Sequence, residues 1–493
     1  MSKKYLAALL LTGASLSLIA SQVFSETGSR EPEREEQESW AARFWNRPVP
    51  RELLEAPTIT KARAVGPKPF RVSLDILQTT SGNAQPETQA EPHLAINPER
   101  DNHLLAGYQE GRFAGGGALA LTYAVSFNGG KSWQEGLLPR LTKTTGGRFD
   151  RASDPWVAFG PGNRAYYASL AYNEGGDTSA DGVYVSASED GGLTWGDPVT
   201  VHLGGSAFDD KEAMIVDTRS DSPYQGRVYV VWDAPSDSRQ PLLFSYSADE
   251  GRSYRGAVTV FDRTANIGAI PLVGPGGVVH LVWLSAIGAT GNMVAARSTD
   301  GGDTWSPPVL ISNIRPVGIP GARTGEGIPS AAVDPRNGAL YVVWQDNRFS
   351  PGTDQIVLSS SQDGGVTWSA PKLVSDGPKN AASFTPAVAV TPDGVVGVAY
   401  YSFRNDPSRR VLVDEYLAIS RDGGKKFGKS VRVSSTSWDL RWAAVARGFF
   451  LGDYQGLVAG KKMFYPLWVG ALNPSRTEAG ELQPDVFTRA MRK

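Results

Sequence analysis

Short apolar runs closed by Asp, Gly and Pro recur along most of the chain, and no long helical periodicity interrupts them. One unit shows the pattern clearly, with four consecutive runs at residues 328–338, 339–348, 354–365 and 367–375. Runs of this length, rich in β-branched and aromatic residues and bounded by turn residues, are typical of strands joined by tight turns. The unit therefore predicts a four-stranded antiparallel sheet.

The same succession of runs recurs, and each copy carries an eight-residue box. Candidate first strands lie near His93, Trp156, Ala213, Pro271, Ser330 and Ala387. The boxes are SFNGGKSW (126–133), SEDGGLTW (188–195), SADEGRSY (247–254), STDGGDTW (298–305), SQDGGVTW (361–368) and SRDGGKKF (420–427). A repeat of about 51 to 63 residues indicates stacked or radial copies of one supersecondary unit.

The chemistry inside the box is that of a turn. The third-position Asp or Asn is suited to accept backbone N–H bonds, the fifth-position Gly permits positive φ, and the eighth-position aromatic covers the sheet. We interpret Asp190, Asp249, Asp300, Asp363 and Asp422 as fold determinants and not as catalysts.

Radial packing of such sheets predicts an all-β fold, a β-propeller of four-stranded antiparallel blades, over residues 70–493. After the sixth box, residues 449–460, 463–472 and 485–491 resemble three further strands without a box. Residues 70–78 would supply the fourth strand and close the ring with the two ends of the chain. Seven blades are preferred, and six blades, with the terminal strands absorbed elsewhere, are the alternative.

Composition narrows the classes of function. The formal net charge of -2 gives no field suited to nucleic acid. The chain contains no cysteine and four histidines without metal-ligand spacing, so no metal site and no cofactor are predicted.

The N-terminus resembles an export signal. Lys3 and Lys4 precede an apolar run from residue 5 to about residue 20, and small residues follow it. Residues 1–25 are predicted to be a signal peptide, which places the mature protein in the periplasm or outside the cell without stable membrane insertion; a membrane anchor is the alternative. Residues 26–69, charged and rich in proline, are predicted to be a linker or docking arm.

The boxes are typical of the Asp-box, or BNR-repeat, families, and the chain resembles the sialidase-like superfamily over most of its mature length. The resemblance implies a β-propeller and, for an active sialidase, three arginines that hold the substrate carboxylate, an Asp acid/base and a Tyr nucleophile activated by a Glu. Sialidases also carry an Arg-Ile-Pro motif near the start of the propeller. This chain lacks that motif, and its nearest counterpart is Phe70-Arg71-Val72.

Strand geometry predicts the functional face independently of that resemblance. The segments that lead into each first strand, and the loops between second and third strands, lie on the face opposite the boxes. Arg112, Arg348 and Arg404 occupy equivalent loops on that face, and three converging guanidinium groups suit a carboxylate or sulfate. The alternative is that each arginine pairs with its own loop acid, which is Glu110, Asp346 or Asp406.

Hydrolysis of a glycan requires two acidic groups, or a Tyr with its base, beside the sugar ring. The catalytic candidates are Asp210, Glu212, Asp453 and Tyr454, and Asp154, Trp156, Glu110 and Asp346 join the three arginines as substrate-binding candidates. Two hypotheses remain: an exported sialidase-like glycoside hydrolase acting on acidic glycans, and a non-catalytic propeller that binds a glycan or a protein. The sequence predicts no oligomeric state.

Overall fold

The structure is a computed structural model that describes residues 68–73, 76–77, 84–85, 87–175, 178–204, 208–235, 240–287, 290–471 and 484–493. The predicted signal peptide (1–25) and nearly all of the predicted arm (26–69) lie outside the described residues. The described residues fall within one structural unit, residues 34–493. None of the helices in the described ranges is long and apolar enough to cross a bilayer.

The described residues form antiparallel meanders that follow one another along the chain. A short strand, β1 (Phe70–Arg71), precedes them. The first meander is β2 (Gln89–Asn97), β3 (Arg100–Arg112), β4 (Ala118–Ser126) and β5 (Gln134–Leu137). The second is β6 (Arg151–Phe159), β7 (Ala165–Tyr172), β8 (Gly182–Ser188) and β9 (Val199–Leu203). The third is β10 (Asp210–Val216), β11 (Val228–Asp233), β12 (Leu242–Ser247) and β13 (Val258–Phe261).

The next three meanders repeat this order. The fourth is β14 (Ala265–Val273), β15 (Val279–Ile287), β16 (Thr290–Ser298) and β17 (Val309–Ile314). After the short β18 (Ala322–Arg323), the fifth is β19 (Ser330–Val333), β20 (Leu340–Asp346), β21 (Gln355–Ser361) and β22 (Lys372–Leu373). The sixth is β23 (Ser383–Val390), β24 (Val396–Ser402), β25 (Leu412–Ser420) and β26 (Val431–Arg432), and β27 (Trp438–Asp439) also pairs with β25.

The last sheet combines a strand that precedes the first meander with strands that follow the sixth. Its strands are β30 (Gly456–Ala459), β31 (Met463–Gly470), β32 (Asp485–Thr488) and β33 (Met491–Arg492), and β1 pairs with β32. Phe70 lies opposite Thr488 and Arg71 opposite Phe487, so the segment predicted to supply the missing strand does pair there. The short 3-10 helices of the described residues are Lys143–Thr145, Pro161–Asn163, Pro275–Gly277 and Leu440–Trp442.

A three-stranded sheet interrupts one predicted strand. We expected residues 449–460 to form a single strand, but the structure divides them at Gly452, where φ is 136°. β28 (Ala444–Val445) pairs with β29 (Phe449–Phe450), and β29 runs parallel to β18. Only Gly456–Ala459 joins the terminal sheet. This small sheet lies beside the site described below.

The first strands of the meanders contact one another in a closed cycle. β2 contacts β6, β6 contacts β10, and the series continues through β14, β19, β23 and β30 back to β2. Buried apolar side chains fill the spaces between neighbouring sheets, among them Trp232, Trp283 and Trp344 on successive second strands. A closed ring of radially packed antiparallel sheets is a β-propeller, so the prediction of an all-β fold with antiparallel sheets is confirmed.

The boxes cap their own turns. In the box at residues 298–305, Asp300 accepts hydrogen bonds from Ser298 Oγ at 2.7 Å and from the backbone N of Thr304 at 2.9 Å. The Ser298 hydroxyl oxygen in turn accepts the backbone N–H of Gly302 at 2.8 Å. Because the polar groups of the turn find their partners inside the turn, the same box serves in each of the first six meanders.

Candidate active site

The first strands share a backbone feature near their start. A residue with positive φ stands there, and in five of the strands the pairing register shifts at the same point, which marks a β-bulge. The positive-φ residues, about 57 to 67 residues apart, are Glu91, Asp154, Lys211, Gly268, Gly325, Thr385 and Gly452. Four of them are not glycine, although positive φ costs such a residue about 1 to 3 kcal/mol. Backbone strain of this kind concentrates at functional sites.

Three of these bulges bring charges together. Lys211 Nζ lies 2.9 Å from Asp154 Oδ2, 2.9 Å from Asp453 Oδ2 and 3.4 Å from Glu91 Oε1. All four residues are between 0 and 6% exposed. One ammonium group therefore joins carboxyl groups from the first, second and last meanders, and it does so in a region shielded from water, where electrostatic interactions are strong.

Two arginines lie beside these four residues. Arg323 binds Asp453 through two nitrogens, at 3.1 and 2.5 Å. Arg112 donates to Gln109 Oε1 at 2.7 Å and lies 3.8 Å from Glu91. The guanidinium groups of Arg112 and Arg323 both lie over the ring of Phe450, at 4.7 and 4.6 Å from its centroid. The small three-stranded sheet, which contains Phe450, thus holds both arginines in place.

We call this set the charged cluster; it consists of Glu91, Arg112, Asp154, Lys211, Glu212, Arg323, Glu326 and Asp453. Two glycines allow its backbones to approach. A side-chain carbon at Gly325 would fall 2.3 Å from the carbonyl oxygen of Asp453, and one at Gly452 would fall 2.8 Å from the backbone N of Glu91. Only glycine fits at these contacts.

Asp154 and Asp453 are held ionised. Burial alone would raise the pKa of Asp453, but Arg323 and Lys211 reverse that effect and hold the pKa of this carboxyl below its usual range. Burial is likewise overcome at Asp154 by the charge and hydrogen bond of Lys211, so its pKa is lowered. The same attractions raise the pKa of Lys211 despite its burial.

The neighbouring glutamates have raised pKa values. Burial raises the pKa of Glu326 to about 7, and burial together with the charge of Asp154 raises the pKa of Glu91 to about 8. Burial, again with Asp154, raises the pKa of Glu212 well above its usual value. The carboxyl oxygens of Glu212 and Glu326 accept no hydrogen bond of ordinary geometry from the described residues. Neighbouring acids whose pKa values are pushed apart are typical of acid and base roles in catalysis.

Aromatic side chains follow the bulges along the first strands. His93 stacks on Trp156 with 3.9 Å between ring centroids, and Trp156 meets Tyr454 edge-on at 5.4 Å. Burial lowers the pKa of His93 to about 3, and its Nδ1 accepts the backbone N–H of Val157 at 3.1 Å. Neutral His93 and the half-buried Trp156 and Tyr454 therefore form an aromatic wall, in which two rings stack and the third meets them edge-on.

Tyr454 is poorly placed for the predicted nucleophilic role. Its hydroxyl donates to the carbonyl oxygen of Pro155 at 3.2 Å. Burial and the charge of Glu91 raise its pKa well above the ordinary value. A tyrosine nucleophile needs a base that takes its proton, whereas here the proton is directed at a backbone carbonyl.

The three predicted substrate arginines are not brought together, so their expected convergence is wrong. Arg348 binds Asp346, two residues away, at 2.8 Å, and Arg404 binds Asp376. Only Arg112 belongs to the charged cluster. A guanidinium group takes the nearest well-aligned carboxylate. For Arg348 this is Asp346 of the same loop, and for Arg404 it is Asp376, which follows β22 in the preceding meander.

Of the other predicted site residues, some belong to the charged cluster and the others lie outside it. Glu212, Asp453 and Asp154 lie in the charged cluster, and Trp156 lies beside it. Asp210 pairs across the sheet with Asp233 and accepts the backbone N–H of Lys211 at 2.9 Å. Glu110 accepts from Gln89 Nε2 at 2.9 Å.

Four members of the cluster, Glu91, Lys211, Arg323 and Glu326, were given no catalytic or binding role from the sequence. For Glu91, Lys211 and Glu326 the signal was available, because the segments EPH, DPW, KEA, GAI, GEG, TPA and GDY each begin at the same step of the repeat. Alignment of those segments would have identified the bulge position. Phe450 had no such signal. Within the described ranges, no group of three or more His, Cys, Asp or Glu is arranged to hold a metal ion.

Comparison with known proteins supports a likeness to sialidases over part of the chain. No protein-family model matches the chain. Over 178 residues the chain is 30% identical to a sialidase of Bacteroides fragilis (strain YCH46), and this match covers 32% of this chain and 32% of that sialidase. The match thus spans about a third of the length of the curated relative.

Solved structures add similar propeller-like neighbours. The chain is similar to a leech intramolecular trans-sialidase complexed with 2,7-anhydro-Neu5Ac, with 15% identity, 75% of this chain and 70% of that chain covered, and a TM-score of 0.47. It is also similar to an α-L-arabinanase of Penicillium chrysogenum, with 14% identity, 69% and 93% covered, and a TM-score of 0.44. The reaction must therefore be argued from the charged cluster itself.

Proposed function

We propose that the protein is an exported glycoside hydrolase, built as a seven-bladed propeller, whose reaction centre is the charged cluster. The observation that carries this proposal is the placement of two buried carboxyl groups, Glu212 with a raised pKa and Asp154 with a lowered pKa, at the bulges of neighbouring first strands. Glycoside hydrolysis requires one carboxylic acid to protonate the leaving oxygen and one carboxylate to act on the sugar.

In this assignment Glu212 is the general acid. Its raised pKa keeps a proton available at neutral pH, and its oxygens are not committed to a hydrogen bond of ordinary geometry. Asp154 is the ionised partner that stabilises or attacks the developing positive charge of the sugar. Ser153 and Lys211 hold its two oxygens at 2.8 and 2.9 Å, so its orientation is set before substrate binds.

The charge balance of the cluster favours an acidic glycan. Below about pH 7, with Glu91, Glu212 and Glu326 protonated, two carboxylates, Asp154 and Asp453, face the cations Lys211, Arg112 and Arg323. This excess of positive charge suits a sugar that bears a carboxylate. The wall formed by His93, Trp156 and Tyr454 supplies apolar contact area for a sugar ring.

The test is hydrolysis of chromogenic glycosides of sialic acid, of uronic acids and of a neutral arabinofuranose. We expect turnover of an acidic glycoside, and a loss of about 10²- to 10⁴-fold in kcat for Glu212→Gln and for Asp154→Asn. Glu212→Gln should keep most of its activity on a dinitrophenyl glycoside, because that leaving group needs no proton. The matched control is Asp300→Asn, a box carboxylate, which should leave kcat unchanged.

A second function is favoured by the burial of the cluster. Its carboxyl groups are nearly inaccessible, and both ionised ones already hold a cation. Such ion pairs also serve a purely structural purpose, which fits a non-catalytic propeller that binds a glycan or a protein. No turnover of any glycoside in the panel by folded wild-type protein would contradict hydrolysis and leave this second function.

A further inference from the structure

A groove opens on the other end of the first strands, between the fifth and sixth meanders. Its volume is about 680 Å³, within the range of about 300 to 1,000 Å³ of small-molecule sites. We call it the box groove; Arg336, Tyr341, Trp368, Lys372, Arg421 and Lys425 line it. The boxes at residues 361–368 and 420–427 form two of its sides.

The carboxylates of the box groove are already engaged. Asp334 is 1% exposed and holds Arg336 through two contacts, at 3.0 and 2.7 Å. Asp422 accepts the backbone N–H groups of its own box, and Asp393 binds Lys493. Asp334 and Asp393 are therefore already paired with cations, and Asp422 is the one carboxylate of the groove lining that remains to offset its other cations.

Three cations of the groove, by contrast, have no partner. The side chains of Lys372, Arg421 and Lys425 make no hydrogen bond or ion pair with the described residues, whereas most other arginines there do. Arg336 is held by Asp334, and its guanidinium lies over Gly394, where a side-chain carbon would fall 1.5 Å from Nη2. Lys372, Arg421 and Lys425 face Asp422 alone, so the groove presents one preorganised guanidinium and an excess of positive charge.

The preceding junction shows why this groove is open. In the fourth meander, the residue before the box is Arg297, and its guanidinium reaches the carbonyl oxygen of Gly364 in the next box at 3.4 Å. The equivalent residue of the fifth meander is Ser360, which is too short to reach the next box. The replacement of an arginine by a serine leaves space and exposes the cations around it.

We propose that the box groove binds an anionic oligosaccharide, one that carries carboxylate or sulfate groups. The cations recognise the acidic groups, Asn337 and Gln362 offer amides to sugar hydroxyls, and Trp368 provides an apolar side. The site is separate from the charged cluster, and it adds a second point of attachment for a polymeric glycan, which increases avidity without further chemistry.

The test is calorimetric titration of the full chain with trigalacturonate, with a sulfated heparin-derived tetrasaccharide, and with a neutral cello-oligosaccharide. We expect binding of one or both anionic probes and none of the neutral one. Arg421→Gln and Lys425→Gln should each weaken that binding about tenfold. The matched control is Lys131→Gln, because Lys131 occupies in the first box the position of Lys425 in the sixth; it should change nothing.

A variant that adds a positive charge distinguishes a binding site of defined shape from nonspecific electrostatic attraction. Ser360→Arg adds a positive charge but places a side chain where Arg297 lies in the preceding junction, so binding should be lost. Tighter binding by Ser360→Arg, an equal loss in Lys131→Gln, or no binding by wild type would overturn the proposal. So would loss of binding in Asp154→Asn, since the probes would then occupy the charged cluster. Hydrolysis of small chromogenic glycosides should be unchanged in all groove variants.

Discussion

The box turns and the first-strand bulges are both repeated around the ring, but they use their side chains in opposite ways. A box Asp such as Asp300 satisfies its own turn, lies near the surface, and has its pKa lowered to about 2. A bulge residue such as Lys211 is buried and finds its partners on other sheets. The box therefore keeps its sequence from copy to copy, whereas the bulge keeps its backbone and varies its side chain.

This difference indicates where function resides in a repeated fold. A side chain that completes a local turn is needed in each copy and is not free to specialise. A bulge fixes only the backbone, so seven aligned positions can carry an acid, a base, a cation or no side chain at all. The repeated geometry then places different side chains, such as those of Glu91, Asp154 and Lys211, near one another.

Loss of the shared cation should have the largest effect. Lys211→Met leaves Glu91, Asp154 and Asp453 without their ammonium partner in a buried region, and we expect destabilisation of about 3 to 5 kcal/mol. Lys131→Met, in the exposed first box, should change the free energy of unfolding by less than about 0.5 kcal/mol. Chemical denaturation of both variants measures the difference, and similar values would remove the contrast between the two regions.

The contributions of the two regions to stability should also depend on pH in opposite directions and in different pH ranges. Glu326 has a folded pKa of about 7 against an ordinary value of 4.5, so the folded state binds more protons between these values and stability falls as pH rises through them. The change is about 3 kcal/mol for this group. We expect Glu326→Gln to flatten the dependence of stability on pH between 5 and 8. An unchanged slope in the variant would mean that Glu326 is not held protonated.

A box aspartate should contribute less, and at lower pH. Asp300 has a lowered pKa, so its stabilisation is present above about pH 4 and is lost as pH falls toward 2. Asp300→Ala removes three turn hydrogen bonds near the surface, from Ser298 Oγ and from the backbone N and Oγ1 of Thr304, and should cost about 1 kcal/mol at pH 7. Thermal denaturation at pH 7 and pH 3 should show the wild type and the variant converging in acid. A cost as large as that of Lys211→Met would contradict the local role of the box.

The smallest effect is expected at a bulge whose side chain carries no charge. Thr385 adopts a φ of 45° and donates to the carbonyl oxygen of Thr324 at 2.9 Å. Thr385→Gly relieves the backbone strain and loses that hydrogen bond, so the two changes offset to within about 1 kcal/mol. Destabilisation of several kcal/mol, measured by urea unfolding, would show that the bulge depends on its side chain.

The sequence predicted the strands and turns well because those are local. Alternation of apolar runs with Asp, Gly and Pro identified the sheets, and Phe70 and Arg71, at the start of the predicted strand 70–78, pair with the last one. The predicted convergence of Arg112, Arg348 and Arg404 was wrong, because the position of a residue in a loop does not determine the direction of its side chain. The stated alternative, pairing with the acid of the same loop, holds for Arg348 and Asp346, whereas Arg404 binds Asp376 and not Asp406.

The most direct test of the account is a titration of the carboxyl groups of the charged cluster by carbon-13 NMR, with Glu212→Gln and Asp154→Asn as assignment variants. The account predicts that Glu212 keeps its proton at neutral pH while Asp154 titrates below its usual range. Titration of both carboxyl groups near their ordinary values, at about pH 4, would contradict the assignment of one as acid and the other as its ionised partner.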